Sequence, residues 1–324
     1  MFDYLFSNPF KILILLSLIS VIAVVYYFAN PTQSSLVRES TAKFITDHSA
    51  NLDWENQWIV SGEQAKIIVD QRAVLLDARS FSLLKGKIMG AKQINWQNFS
   101  QPSHPHRGKL LEDEQVLTQK LQRLGINQDN PVVVFGNLLK GWGEEGRIVW
   151  MLRTMGHNQA VLVDGGYQAL LAAGVKLEKV VQSKGNFAVK LRNDWKISKE
   201  ELKARLPPQD LVIIDTRESR EYEGKTPYGE DRGGHIPGAV HLHYKELLGT
   251  DGKLLARDKI LFMLAAKGIE SERLIVSYCT GGVRSAWLTV VLNELGFQAK
   301  NYPGSMWEWA ALPVDSYPLV TVSP

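Results

Sequence analysis

The chain has 324 residues, enough for two domains with cores of their own. Its formal net charge is +3 with 22% charged residues, and Lys and Arg are scattered among acids, so nothing in the sequence suggests a nucleic-acid surface. A single cysteine excludes an intramolecular disulfide and a cysteine-only metal site, and seven histidines without ligand spacing leave no metal or cofactor to expect.

In chain order the first feature is the apolar run Ile12–Phe28, seventeen residues long. With Pro9, Phe10 and Ala29 it approaches the ~20 residues of a membrane-spanning helix. Tyr26 and Tyr27 suit a membrane interface, and Lys11 marks the near end. A cleaved signal peptide is the alternative, but the run is long for one and no A-x-A site follows. Residues 1–30 are therefore read as a membrane anchor and 31–51 as a polar tether. The charges before the run, Lys11 and the amino terminus against Asp3, with Arg38 and Lys43 further beyond it, point to a cytoplasmic N-terminus. The body is then exported, as in a bacterial inner-membrane protein facing the periplasm.

Beyond the tether one pattern occurs twice. Val74-Leu75-Leu76-Asp77-Ala78-Arg79 is echoed by Val212-Ile213-Ile214-Asp215-Thr216-Arg217. Gly86-Lys87-Ile88-Met89-Gly90-Ala91 is echoed by Gly234-His235-Ile236-Pro237-Gly238-Ala239, Pro131–Phe135 by Leu274–Tyr278, and Val163–Tyr167 by Tyr302–Met306. The offsets run from 138 (Val74 to Val212) to 148 (Gly86 to Gly234). Short apolar strands alternate with helical stretches such as 114–124 and 259–267, so each copy is an α/β domain with a largely parallel sheet. The copies span 52–184 and 196–322, joined by a polar stretch over 184–195. His241 and His243 alternate on one strand face with no further ligand, and are read as a surface pair.

In the second copy Leu274–Ser277 reads as a buried strand and Ala286–Leu295 as a helix, with Gly296 where it stops. Between them lies Tyr278-Cys279-Thr280-Gly281-Gly282-Val283-Arg284-Ser285. A strand, a glycine-bearing turn and a helix start gather backbone N–H groups around one point, an anion cradle. Cys279 at its base, close to Arg284, should lose its proton easily, and the thiolate is the reactive species. A lone cysteine is often mere packing. The glycines and the arginine favour chemistry here.

These signatures resemble the tandem-domain rhodanese family of sulfurtransferases over roughly residues 52–320. The resemblance is carried by Asp215-Thr216-Arg217-Glu218 with Glu221 and Gly224, by Gly234–Ala239, and by Tyr302-Pro303-Gly304-Ser305 with Trp307 and Trp309. The Cys279 loop lies where that family keeps its catalytic cysteine. The first copy reads Phe135-Gly136-Asn137-Leu138-Leu139-Lys140-Gly141 at this position, without a thiol, and so resembles the family's inactive N-terminal domain. Arg147 matches a family helix and is expected to be structural.

The resemblance implies a double displacement. Cys279 takes sulfur from a small anionic donor such as thiosulfate or mercaptopyruvate, then yields it to cyanide, a small thiol or a protein thiol. Backbone N–H groups of Thr280, Gly281, Gly282, Val283 and Arg284 are expected to hold the sulfur's charge. Arg284 and Arg232 are expected to attract the donor. Asp215 and Arg217 should pair at the strand end, His235 should hold a loop, and Trp307 should line the pocket or the core. Mercaptopyruvate-type loops carry a serine where this chain has Gly281, and an arginine where it has Glu221, which argues against that donor. A phosphatase needs Cys-x5-Arg, whereas Cys279 to Arg284 is Cys-x4-Arg. A membrane-tethered binding or sulfur-sensing module without catalysis is the alternative from another class.

Overall fold

The computed structural model describes residues 56–80, 86–176 and 183–321. The expected anchor and tether lie outside these residues. Among the described residues no helix is long and apolar enough to cross a membrane.

The first copy runs β1 (Ile59–Val60), α1 (Gly62–Asp70), β2 (Val74–Asp77), β3 (Lys92–Gln93), α2 (Glu114–Arg123), β4 (Val132–Phe135), α3 (Glu144–Thr154), β5 (Ala160–Val163) and α4 (Gly166–Ala172). The second runs α5 (Lys199–Lys203), β6 (Leu211–Asp215), α6 (Ser219–Tyr222), β7 (Val240–His241), α7 (Arg257–Ala266), β8 (Leu274–Tyr278), α8 (Arg284–Glu294), β9 (Ala299–Asn301) and α9 (Ser305–Trp309). The sheets are ordered β1-β5-β4-β2-β3 and β7-β6-β8-β9. Every strand pair is parallel, as alternating strands and helices require. A parallel bridge from Lys196 to Asn301 occupies, beside β9, the place that β1 holds beside β5. The repeat seen in sequence is thus a repeat in space.

Central strands β4 and β6 are buried along their whole length, which is why they read as unbroken apolar runs. The helix expected at 286–295 begins two residues earlier, at Arg284, and Gly296 follows it in the left-handed conformation at φ 89°. The two copies share one core. Helices α3 and α8 pack against each other so closely that a Cβ on Gly146 would meet Trp287. Across the same seam Glu294 accepts the N–H groups of Trp58 and Ile59 at 2.7 and 2.9 Å.

The polar joint is no free linker. Gly185, Phe187, Lys190 and Arg192 donate backbone N–H groups to carbonyls of the first copy, and Phe187 and Val189 are buried. A polar composition concealed the two apolar side chains that dock it.

Candidate active site

Strand β8 delivers the chain into the loop, and its last residue is anchored first. The Tyr278 hydroxyl donates to Asp215 Oδ2 at 2.8 Å and accepts Ile236 N–H at 3.1 Å. Cys279 follows, 1% exposed. Its N–H donates to Ser305 Oγ at 3.1 Å and its carbonyl accepts Met306 N–H, while Thr280 C=O accepts Trp307 N–H. The start of α9 therefore clamps the base of the loop. Gly282, at φ 75°, turns its N–H onto Cys279 Sγ at 3.1 Å. Ser285 Oγ stands 3.5 Å from the same sulfur and donates to Asn301 Oδ1 at 2.7 Å.

Burial pushes the Cys279 thiol up, yet the Arg284 cation, the Ser285 hydroxyl and the backbone N–H groups of Ser285 and Gly281 outweigh it. The thiol is held below the ordinary cysteine value. Of the five N–H groups expected around the sulfur, Gly282 donates to it and Gly281 acts on it, and Ser285 joins them; together they favour the nucleophilic form.

Arg284 does not act as a free cation. Its Nη1 and Nη2 fork onto Glu221 Oε2 and Oε1 at 2.6 and 2.8 Å, and Nη2 also donates to Thr280 Oγ1 at 2.6 Å. Thr280 Oγ1 lies 2.7 Å from Glu221 Oε1 and 3.2 Å from Glu230 Oε1, so the threonine side chain serves this network. Although burial acts the other way on each, Glu221 is held below the usual carboxylate value and Arg284 well above its own. A bidentate buried pair of this kind is a rigid strut.

A cleft of about 270 Å³ opens above the sulfur. Trp96, Trp142 and Glu144 from the first copy face Tyr228, Val283 and Trp307 from the second. Trp307 Nε1 donates to Tyr228 O at 3.0 Å, and Arg107 of the first copy stacks 3.6 Å above the Trp307 ring. A Cβ on Gly281 would run into that ring, so the loop needs glycine there. The entrance is aromatic, and both copies build it. Among the described residues no group of three or more His, Cys, Asp or Glu side chains could hold a metal ion.

The remaining sequence candidates divide sharply. Asp215 and Arg217 pair as expected, at 2.6 Å and fully buried, and Arg217 continues to Gly234 O at 2.7 Å. His235 stacks on Tyr222 and bonds Tyr222 O through Nδ1 at 3.0 Å, holding the loop. Arg232 is placed differently from expectation. Its guanidinium donates to the carbonyls of Trp309, Ala310, Leu312 and Tyr317, so it ties down the C-terminal segment instead of attracting a donor. Sequence reasoning missed the aromatic walls Trp96, Trp142 and Tyr228, and Glu221 as the partner of Arg284. Opposite charges 63 residues apart carry no local signal.

The comparisons agree with this geometry. The family model of the rhodanese-like domain matches twice, at residues 61–173 and 198–312. The sulfur carrier protein TtuD of Thermus thermophilus is 28% identical over 276 residues, covering 80% of this chain and 92% of that protein. A thiosulfate sulfurtransferase of Azotobacter vinelandii is 29% identical over 244 residues, covering 74% and 89%. Among solved structures, wild-type EanB superposes with a TM-score of 0.69 at 20% identity over 83% of this chain and 70% of its own. YnjE does so with 0.68 at 20% over 82% and 68%; such identities speak for the fold. With both copies matched and the thiol seated in the second, the chain belongs to the rhodanese-like family.

Proposed function

We propose that Cys279 is a carrier of sulfane sulfur, taking it from thiosulfate or a similar anionic donor and passing it to a thiophilic acceptor. The protein is a sulfurtransferase. One observation carries this reading: a buried thiol with its pKa lowered receives the Gly282 N–H at 3.1 Å at the mouth of a strand–loop–helix cradle.

The thiolate attacks the outer sulfur of thiosulfate. A new S–S bond forms to Cys279, the old S–S bond breaks, and its electron pair leaves with sulfite. The persulfide left behind is again an anion in the same cradle, where oriented N–H groups stabilise it. Cyanide or a thiolate then attacks the terminal sulfur, and the Cys279 thiolate is the leaving group. With one cysteine in 324 residues, an internal disulfide cannot resolve the persulfide, so the acceptor is external. The names of the relatives support thiosulfate among donors. The apolar run Ile12–Phe28 supports anchoring of this chemistry at a membrane, with the body on the exported side.

Intact-mass measurement of the full chain, after thiosulfate and then cyanide, tests the reading. One added sulfur is expected, absent in Cys279→Ala and removed by cyanide. No gain with thiosulfate, mercaptopyruvate or an inorganic persulfide would overturn it.

A further inference from the structure

Arg147 lies on α3, in the copy that has no thiol, and is fully buried. Its Nη1 donates to Gly282 O at 3.0 Å, and its Nη2 to Gly108 O at 2.7 Å and Ser100 Oγ at 3.3 Å. Its Nε has no partner. The faces of Trp150 and Trp96 cover the guanidinium at 4.5 and 5.6 Å. Every hydrogen-bond partner is a neutral oxygen, so Arg147, unlike Arg284, brings its charge into the interior without a carboxylate. A buried cation in that state is costly unless a negative charge balances it.

The bond network leads to one. Arg147 and Asn301 Nδ2 both hold the Gly282 carbonyl, at 3.0 and 3.2 Å, and the N–H of that same residue meets Cys279 Sγ. Burial brings Arg147 down to about 9 even though negative charge at Cys279 acts the other way. The other charged or titratable groups around the sulfur are Arg284, which Glu221 forks, Glu230 behind Thr280, Glu144 and Tyr228 at the cleft, and Tyr244; burial keeps both tyrosines neutral.

We propose that Arg147 is a positioning residue for Cys279, fixing the Gly282 peptide on the sulfur and balancing the charge of the thiolate and the persulfide. The copy without a thiol is then a working part of the centre. This deepens the sulfur-carrier reading and rests on it for the persulfide, but not for the thiolate.

The test is the pH dependence of Cys279 alkylation by iodoacetamide, read by intact mass on the full chain. Arg147→Met raises the midpoint by about one unit, so the rate well below the midpoint falls about tenfold while the high-pH plateau is kept. Arg147→Lys restores the charge and most of the midpoint. Ser100→Asp sets a carboxylate against Nη2 and moves the midpoint the same way as Arg147→Met, which decides the matter should the methionine variant not fold. A wild-type midpoint in a folded Arg147→Met or Ser100→Asp variant overturns the proposal. So does a lysine variant displaced as far as the methionine one. Alkylation needs no sulfur donor, so a wild type that shows the Arg147 effect but never gains sulfur sinks only the carrier reading.

Discussion

The two strand-end loops share a frame and differ in charge. In the first copy Arg79 forks onto Asp77 and donates to Gly86 O at 2.8 Å; in the second Arg217 forks onto Asp215 and donates to Gly234 O at 2.7 Å. After the central strand, however, one copy has Gly136 and the other Cys279. Glu144 opens α3 where Arg284 opens α8, and Glu145 stands where Ser285 faces the sulfur. A Cβ on Gly136 would run straight into the Glu145 carboxylate. The first copy therefore lacks more than a thiol. The buried Glu145 side chain fills the space of a sulfur, and no cation stands where Arg284 supports the thiolate. What the halves have in common is scaffold, and what they do not is the chemistry.

The comparison breaks if a thiol alone revives the first loop. In the double variant Gly136→Cys with Cys279→Ser, no sulfur is expected to load from thiosulfate. Alkylation at pH 7 should be at least about tenfold slower than at Cys279 in the parent, because the guanidinium and hydroxyl that lower the Cys279 thiol are replaced by Glu144 and a buried Glu145 carboxyl that crowds position 136. Intact mass reads both quantities. A persulfide at position 136 would show that the frame suffices.

Glu145 sharpens the same contrast. It is buried, its Oε2 has no partner, and burial, with a smaller push from Glu144, raises its carboxyl to about 8. A hydrogen bond from its own backbone N–H and, more weakly, Lys245 act the other way. Between the unfolded value near 4.5 and about 8 the folded state binds more protons than the unfolded one, so stability falls as pH rises. The slope is about 1.4 kcal/mol per pH unit while both values bracket the pH. Glu145→Gln removes that slope. Urea unfolding at pH 5, 6.5 and 8 should show the variant gaining on the parent at each step, and a gap independent of pH would refute the assignment.

Much of this was legible in the chain, for physical reasons that also set the limit. Strands such as 132–135 and 274–278 are buried on both faces and so spell continuous apolar runs, and the cysteine loop is local, with its strand, glycines and helix start adjacent in sequence. The Asp215–Arg217 pair is two residues apart and was readable for the same reason. The cleft was not. Trp96 and Trp142 meet Tyr228 and Trp307 only because α3 packs on α8, and no pattern along one copy encodes what the other will press against it. In the sequence Glu221 registers as a missing arginine, whereas in space it is the counter-ion of Arg284. Arg147 reads as a family helix residue, and its contact with Gly282 spans 135 positions.

The smallest expected effect tests the part the halves share. Each copy opens its first helix with a capping box: Ser61 Oγ accepts Gln64 N–H and the Gln64 side chain accepts Ser61 N–H, while Ser198 and Glu201 do the same in the second copy. Such a serine satisfies one of the N–H groups that the first helical turn leaves free, and replacing it by alanine costs about 1 kcal/mol. Ser61→Ala and Ser198→Ala should therefore lower stability by similar amounts in urea unfolding. Because the copies share one core, both losses should appear in a single cooperative transition. Neither serine approaches Cys279, so its alkylation midpoint should stay at the parent value in both. Two separate transitions, with each variant moving only one, would mean that the halves unfold apart and that the α3–α8 seam is weaker than its packing implies.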